Sequence, residues 1–416
     1  MSFERFIARR FMPQSKDGGG FSGPLSAIAV ASIALGVVVM VMAVSILHGF
    51  QGEITGKVVG FGSHMTVTSF TANGNYQENP ISKDSALTAS ILSVPGVHHL
   101  QYYATKGGMV KTGEQIYGIL FRGVSANYDT TFFAQSLLEG RLPKLTEPSG
   151  DSSVADKPSN DVLISSTIAS RLKLKTGDKM RTYFWQGEGY RSRAFTVCGI
   201  YNTDLTEFDE NYVLGDLRQV QRLNEWDGAE VGGYEILVDD FDRLNAVARE
   251  VTSLLPYHLT LHTITETHPA LFSWLDLLNS NITLILTIMC LVSAIAIISA
   301  LLIMIFEKRT TIGLLKALGA TNRSVRRIFM MKASHLILRG ILIGDAIALA
   351  LCLIQSKWQV LTLDPESYSM SHVPVDLDPW MFAAITAGTL GICIAALLLP
   401  AASIAKISPA KTIKSE

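Results

Sequence analysis

Four apolar runs interrupt an otherwise mixed chain: Leu25–Leu47, Ile282–Phe306, Ala333–Gln355 and Trp380–Leu399. Each approaches or exceeds the ~20 residues with which a helix crosses a bilayer core, so the pattern predicts four spanning helices. The second is uncharged throughout, the third is interrupted by Arg339 and Asp345, and the fourth ends at Pro400. The first follows Arg5, Arg9, Arg10 and Lys16, the order of a signal peptide. It is longer than the ~7–15-residue core of such a peptide and has no clear small-residue cleavage site, so it is expected to remain as an anchor.

Residues 48–280, between the first and second runs, contain no spanning stretch. Their periodicity predicts a strand His64–Phe70, a helix Lys83–Ser93 with Leu87, Ile91 and Val94 on one face, and a strand Val97–Ala104. Near the end it predicts a strand Tyr234–Asp239, a helix Phe241–Leu255 with Leu244, Val247, Ala248, Val251 and Leu255 on one face, and a strand His258–Ile264. Two βαβ-like units suggest a split, ferredoxin-like α/β layer over 48–119 and 232–275. Residues 120–231 between them, with short strands and helices at Asp161–Ser165, Thr167–Leu172, Lys179–Trp185, Ala194–Tyr201 and Asp216–Leu223, are expected to form an inserted subdomain. Pro/Ser/Asp-rich residues 143–160 read as an exposed loop within it.

Charge orients this frame. Lys and Arg are dense in 1–24, in 307–332 and in the tail 400–416 (Lys406, Lys411, Lys414). The loop 356–379 carries Asp364, Glu366, Asp376 and Asp378 against a single Lys357. By the positive-inside rule both termini and 307–332 are expected in the cytoplasm, with 48–280 and 356–379 on the far side. The totals of 35 basic and 36 acidic residues nearly cancel, and the cations gather at membrane ends, so nucleic acid is not an expected partner. Of four cysteines, only Cys198 lies in the large polar region, which must therefore fold without an internal disulfide.

The segment Glu307–Lys332, EKRTTIGLLKALGATNRSVRRIFMMK, is wedged between two apolar runs. Ile312, Leu315 and Leu318 fall on one side of a short helix, and Gly319 stands where a helix end favours φ > 0. Thr321 or Asn322 can cap the helix that follows. Lys308, Arg309, Lys316, Arg323, Arg326, Arg327 and Lys332 surround this elbow. On periodicity and charge alone it is either a docking elbow on the inner membrane face or simply a topogenic loop. No GxxxxGK[ST], HExxH or GxSxG motif occurs, and the 24 residues before the first run are too few for a nucleotide-binding domain. Any ATP used is therefore expected on another chain. His262, Glu266 and His268, like His98 and His99, read as wet strand ends, and no metal site is expected.

The order of these parts, with IGLLKALGA after the second run, resembles the permeases of MacB/FtsX-type ABC transporters. Within that group the chain is similar to the LolC/LolE lipoprotein-releasing family, through residues 34–54 (ALGVVVMVMAVSILHGFQGEI), 162–180, 195–213 (FTVCGIYNTDLTEFDENYV) and 363–377 (LDPESYSMSHVPVDL). The resemblance implies a non-catalytic inner-membrane subunit with a large periplasmic domain. It also implies a dimer, of this chain with itself or with a sister permease, above an ATPase dimer that would hold ATP and magnesium. On the same resemblance the unit is expected to pass triacylated lipoproteins to a periplasmic carrier by mechanical transmission. A MacB-like efflux or peptide-export permease and an FtsX-like relay to a cell-wall hydrolase remain as alternatives.

On that resemblance Glu307, Lys308, Arg309, Ile312, Leu315, Lys316, Gly319, Arg323 and Arg327 are expected to couple to the ATPase, against lipid-headgroup anchoring. Val38, Met42, Ile46 and Phe50 with Ile285, Ile288 and Val292 are candidates to line an acyl-chain cavity, against plain lipid-facing or packing surface. Trp185, Gln186, Tyr190, Arg191 and Arg193 lie on a hairpin with a Gly-containing tip, a candidate carrier grip although shorter than the family's pattern. The alternative is a core-facing hairpin. Asp345, near mid-membrane, is expected to face a helix or water; it reads as an inter-helix pair or a proton site. Gly340 and Gly344 make a small-xxx-small packing face, and Arg339 can snorkel.

Overall fold

The computed structural model describes residues 22–70, 79–113, 115–145, 157–186, 189–364 and 368–401. The basic N-terminal segment, the basic tail, and most of the loop expected at 143–160 lie outside the described residues. The chain begins with α1 (Ser22–Gly62), β1 (Met65–Ser69), β2 (Ile81–Ser82), α2 (Ser85–Leu92), β3 (Val97–Thr112) and β4 (Gln115–Val124). Then come α3 (Thr131–Gln135), β5 (Leu137–Gly140), β6 (Asp161–Ser165), α4 (Ser166–Leu172), β7 (Lys179–Gln186), β8 (Gly189–Tyr201), α5 (Thr206–Asp209) and β9 (Tyr212–Asp216). They are followed by α6 (Leu217–Asn224), β10 (Glu230–Val231), β11 (Gly233–Val238), α7 (Leu244–Leu254), β12 (Leu259–Thr263) and α8 (Ile264–Thr267). The last are α9 (Pro269–Glu307), α10 (Arg309–Ala317), α11 (Asn322–Trp358), α12 (Pro379–Ala396) and α13 (Leu398–Ala401).

Two compact units result. The first holds residues up to Gln51, Trp274–Thr362 and everything from His372 onward; the second holds Gly52–Ser273 and Leu363–Ser371. In the first, α1, α9, α11 and α12 are each long and apolar enough to cross a membrane. At 41 and 39 residues, α1 and α9 are about twice the length a bilayer requires. The apolar runs at 25–47 and 282–306 therefore understate the helices, because polar residues extend them past the hydrocarbon without a break.

Small residues let the spans approach closely. A Cβ on Gly340 would lie 2.9 Å from Ile33 of α1, and one on Gly344 would lie 2.8 Å from Val37 and from the Ala34 carbonyl. The expected small-residue face thus packs α11 on α1, around a core of Ile33, Val37, Met40 and Val41 with Ile297, Leu301, Ile337 and Ile341. Thr386 Oγ1 on α12 donates to Asp345 on α11, 3.0–3.1 Å from its two oxygens. The one acid within this span is therefore paired between helices.

The second unit is built on a ten-stranded sheet. At one end the order is β12-β1-β11-β3, with every neighbour antiparallel. The crossovers β1-α2-β3 and β11-α7-β12 interleave, each parallel pair enclosing a strand of the other. Ile91 of α2 and Leu244, Val247, Ala248 and Val251 of α7 are buried, as their helical spacing predicts.

The middle of the chain does not stand apart as an inserted subdomain. The boundary expected at 120 falls inside β4, and β3 runs sixteen residues, not the expected eight of Val97–Ala104. Its first half pairs with β11 and its second half with β4 and β7. The ladders β3-β4-β9-β6-β8-β7 then return to β3 and close a ring. Phe121, Phe184 and Phe195 fill it, with ring centroids 4.9–6.2 Å apart. A strand shared by both halves has no linker at which two cores could separate.

Buried polar groups bind the unit to the end of α1. Phe61 on the last turn packs against Phe133, Phe208 and Tyr212, and the Arg122 guanidinium lies 5.6 Å from its ring. Arg122 pairs with the fully buried Glu235, whose other oxygen accepts from Gln101 Nε2 at 2.8 Å. Just beyond the helix, His64 accepts the Val238 amide at Nδ1 (3.2 Å) and the Ile264 amide at its carbonyl (2.9 Å).

Candidate functional site

The elbow forms as the helix-breaking signals predict. Gly319 adopts φ +95°, and a Cβ there would meet nothing, so conformation and not space requires glycine. The Thr321 hydroxyl accepts the Ser324 amide at 3.2 Å and caps α11. The apolar residues divide differently from expectation. Ile312 and Leu315, 0% and 9% exposed, pack with Ile305, Val325, Ile328 and Phe329 of their own chain. Leu318 sits past the end of α10 and is 77% exposed; Leu314, four residues earlier, is 55% exposed.

Ile312 and Leu315 are thus corrected from docking residues to core, and Leu314 and Leu318 are the apolar side chains offered outward. Glu307, Arg309, Arg323, Arg326 and Arg327 are exposed around them, with Lys308 and Lys316 half-buried. A signal for this was available. IGLLKALG has more apolar positions than one face of so short a helix can hold, and the (i, i+4) pair Leu314/Leu318 lies away from Ile312.

The candidate cavity residues separate into two groups. Val38, Met42 and Ile46 are half-buried and Phe50 is buried. Met42 Sδ lies 3.9 Å from Cys352 Sγ, and Phe50 meets Trp274 edge-on at 5.4 Å, where Gln51 Nε2 also donates to the Leu275 carbonyl. Met42 and Phe50 therefore pack α1 onto α11 and α9 within the chain. On α9, Ile285 is half-buried while Ile288 and Val292 are exposed beside Leu284, Leu291 and Ile295.

The hairpin is β7 and β8, paired from Lys179↔Thr196 out to Gln186↔Gly189; its tip, Gly187 and Glu188, lies outside the described residues. Strand alternation turns Phe184 and Phe195 into the ring and Trp185 and Tyr190 outward, 48% and 59% exposed and edge-on at 4.9 Å. Gln186 and Arg191 both donate to Glu225 Oε1 at 2.9 and 3.3 Å, which braces the hairpin. Arg193 is half-buried. Trp185 and Tyr190 stand clear of the core, so the alternative of a wholly core-facing hairpin does not hold for this pair. In the His262, Glu266 and His268 stretch, Glu266 closes a capping box with Thr263.

Two resemblance-bearing stretches, His48–Phe50 and 363–377, meet in the structure. A Cβ on Gly49 would lie 2.8–2.9 Å from Pro374 and the Asp376 amide, and Asp376 N donates to the Ser45 carbonyl at 3.0 Å. Gln355 closes the base of this loop: Nε2 donates to the Leu361 and Val373 carbonyls, and Oε1 accepts the Leu361 amide, all at 2.9–3.1 Å. In the second unit Lys57 Nζ donates to the Ser369 carbonyl at 3.0 Å, with Asp204 at 3.6 Å and Glu53 at 3.7 Å. Sequence reasoning passed over Lys57, because a lone lysine on a helix carries no spacing signal.

Comparison with known proteins extends this picture. Residues 26–254 match the family model of the MacB-like periplasmic core domain, and residues 254–409 that of the FtsX-like permease C-terminal. The lipoprotein-releasing system transmembrane protein LolC of Xylella fastidiosa (strain Temecula1) is 24% identical, over 99% of this chain and 98% of its own length. LolE of the same system in Haemophilus influenzae is 21% identical over 99% of both. The solved periplasmic region of MacB from Actinobacillus actinomycetemcomitans aligns with 51% of this chain and 95% of its own at 12% identity, with a TM-score of 0.34.

Proposed function

We propose that this chain, which belongs to the MacB/FtsX-type family of permeases, is the membrane subunit of an ABC transporter that releases lipoproteins from the inner membrane to a periplasmic carrier. The observation that carries this reading is similarity to lipoprotein-releasing transmembrane proteins over 98–99% of each chain. ATP and magnesium belong to a separate ATPase dimer. That dimer docks on Leu314 and Leu318 within the ring of Arg309, Arg323, Arg326 and Arg327.

The orientation follows from the ends of the spans. Trp274 at the start of α9, Trp358 at the end of α11 and Trp380 at the start of α12 suit one membrane interface, and the cations of 307–332 suit the cytoplasmic one. On this reading both termini are cytoplasmic and the sheet unit, whose interleaved crossovers are a ferredoxin-like layer, is periplasmic. The exposed α9 stripe at Ile288 and Val292 receives acyl chains or a second permease, and Trp185 and Tyr190 grip the carrier. Energy input is needed because each acyl CH₂ withdrawn from lipid costs about 0.8 kcal/mol, on the order of 10 kcal/mol for one full chain. Depletion of the protein in its own cell is the test. Lipoproteins stranded in the inner membrane are expected, and undisturbed lipoprotein traffic would overturn the reading.

A further inference from the structure

On α11, Lys332, His335 and Arg339 are spaced i, i+3 and i+7, so their bearings around the helix fall within about 60° of one another. His335 and Arg339 are exposed and Lys332 is half-buried, on the side away from Gly340 and Gly344, which pack on α1. Arg339 stands six residues, about 9 Å, beyond Ala333, where the apolar run begins. A helical side chain leans towards the N-terminus of its own helix, so the guanidinium is directed back over His335 and Lys332. Among the described residues no carboxylate pairs with any of the three. Asp345, the acid of this span, lies about 120° round the helix from Arg339 and is taken up by Thr386. The stripe is bounded at both ends. Towards the N-terminus of α11, Ile328 and Val325 continue the same side but are buried in the core that holds Ile312 and Leu315 of α10. Beyond Arg339 that side continues as Leu342, Ile343 and Leu353, which are 59%, 47% and 51% exposed.

We propose that Lys332, His335 and Arg339 bind the phosphate of an anionic phospholipid, whose acyl chains lie along Leu342, Ile343 and Leu353. That this lipid belongs to the cytoplasmic leaflet rests on the orientation given above; the binding chemistry does not. A cation inside an apolar run is costly until an anion meets it. The guanidinium offers a fork to two phosphate oxygens, and the ammonium and the imidazole N–H each offer a further donor. Charge complementarity selects the headgroup. Basic residues with no acid among them favour a net negative lipid over a zwitterionic one, whose own ammonium they repel. The apolar stripe selects a phosphate carried on acyl chains over free phosphate, because each CH₂ laid against it adds to binding and inorganic phosphate has none.

The test uses the full chain in mixed micelles, with phosphatidylglycerol and phosphatidylcholine as probes, and reads retained lipid by native mass spectrometry. Phosphatidylglycerol is expected to be retained at least about tenfold over phosphatidylcholine, the scale of two basic residues at an anionic surface. Arg339→Gln, Lys332→Gln and His335→Phe are each expected to weaken that retention about fivefold, the scale of one such residue or one hydrogen bond. Arg339→Lys, which keeps the charge, should retain most of it. Lys357→Gln, at the other end of the same helix, should retain all of it. If Arg339→Gln does not fold, Lys332→Gln and His335→Phe carry the test. Equal retention of the two lipids overturns the proposal, as does a loss in Lys357→Gln equal to that in Arg339→Gln, which would reduce the stripe to general attraction. Displacement of phosphatidylglycerol by inorganic phosphate would assign the stripe to the free ion and overturn the lipid. Should labelling place 307–332 outside the cytoplasm, it is the orientation that fails, and lipid retention still decides the binding site.

Discussion

Arg122 and Glu235 illustrate how much of the second unit's stability is held by single side chains. Glu235 is wholly buried, and removing its cation strands a carboxylate with only Gln101 beside it. Arg122→Met is expected to destabilise by about 3–5 kcal/mol. Adding Glu235→Gln, which keeps the Gln101 contact without charge, should recover more than half, as read by denaturant unfolding in detergent. His64 sets a pH dependence of definite sign. Burial pushes its pKa from 6.5 down to about 4, so the folded state disfavours the proton that the unfolded state accepts. The contribution is complete above pH 6.5, declines as pH falls through that value, and is gone below about 4, for a total on the order of 3 kcal/mol. His64→Asn, which keeps an acceptor for the Val238 amide but does not titrate, should flatten the thermal stability profile between pH 7 and 4. Neither residue was legible in the sequence. A buried ion pair 113 residues apart, or a histidine joining three segments, is created by topology and leaves no local pattern.

Elements were more legible than their partners. The strands and helices of the sheet unit follow periodicities of two and 3.6, and the breaks at Gly319 and Thr321 follow capping chemistry, so they could be read locally. The length of β3 could not, because its second half has Gly107, Gly108 and Met109 where a strand pattern would show alternation; only β4 and β7 on either side make it a strand. The elbow shows the same limit. Ile312 marks an apolar face, but which apolar residue meets which surface was settled by α9 and α11. Leu314→Asp with Leu318→Asp is therefore expected to reduce co-purification of the ATPase about tenfold, as truncating a central contact pair does, without altering the chain's own unfolding. Ile312→Asp with Leu315→Asp should unfold the membrane unit, since it places two carboxylates in a packed apolar core. On the hairpin, Trp185→Ala with Tyr190→Ala should leave thermal stability unchanged, both rings being half-exposed, and weaken carrier capture by at least about tenfold. Equal capture would return the hairpin to a purely structural role.

At the scale of the whole molecule, four spans and one large domain between the first and second were visible from hydropathy alone. The seat of the loop on Gly49 was not, since it joins residues more than three hundred positions apart. The continuity of α1 has a further consequence. Lys57 and Phe61, both in the sheet unit, share one uninterrupted spiral, so their compass bearings around its axis are fixed by residue count alone. One alanine inserted between Lys57 and Phe61 would swing one by about 100° from the bearing of the other and pull either the lysine from Asp204 or the ring from Phe133 and Phe208. A chimaera spliced inside this last stretch of the helix must therefore keep its phase, and a graft one residue out should unfold the sheet unit while the spans still insert.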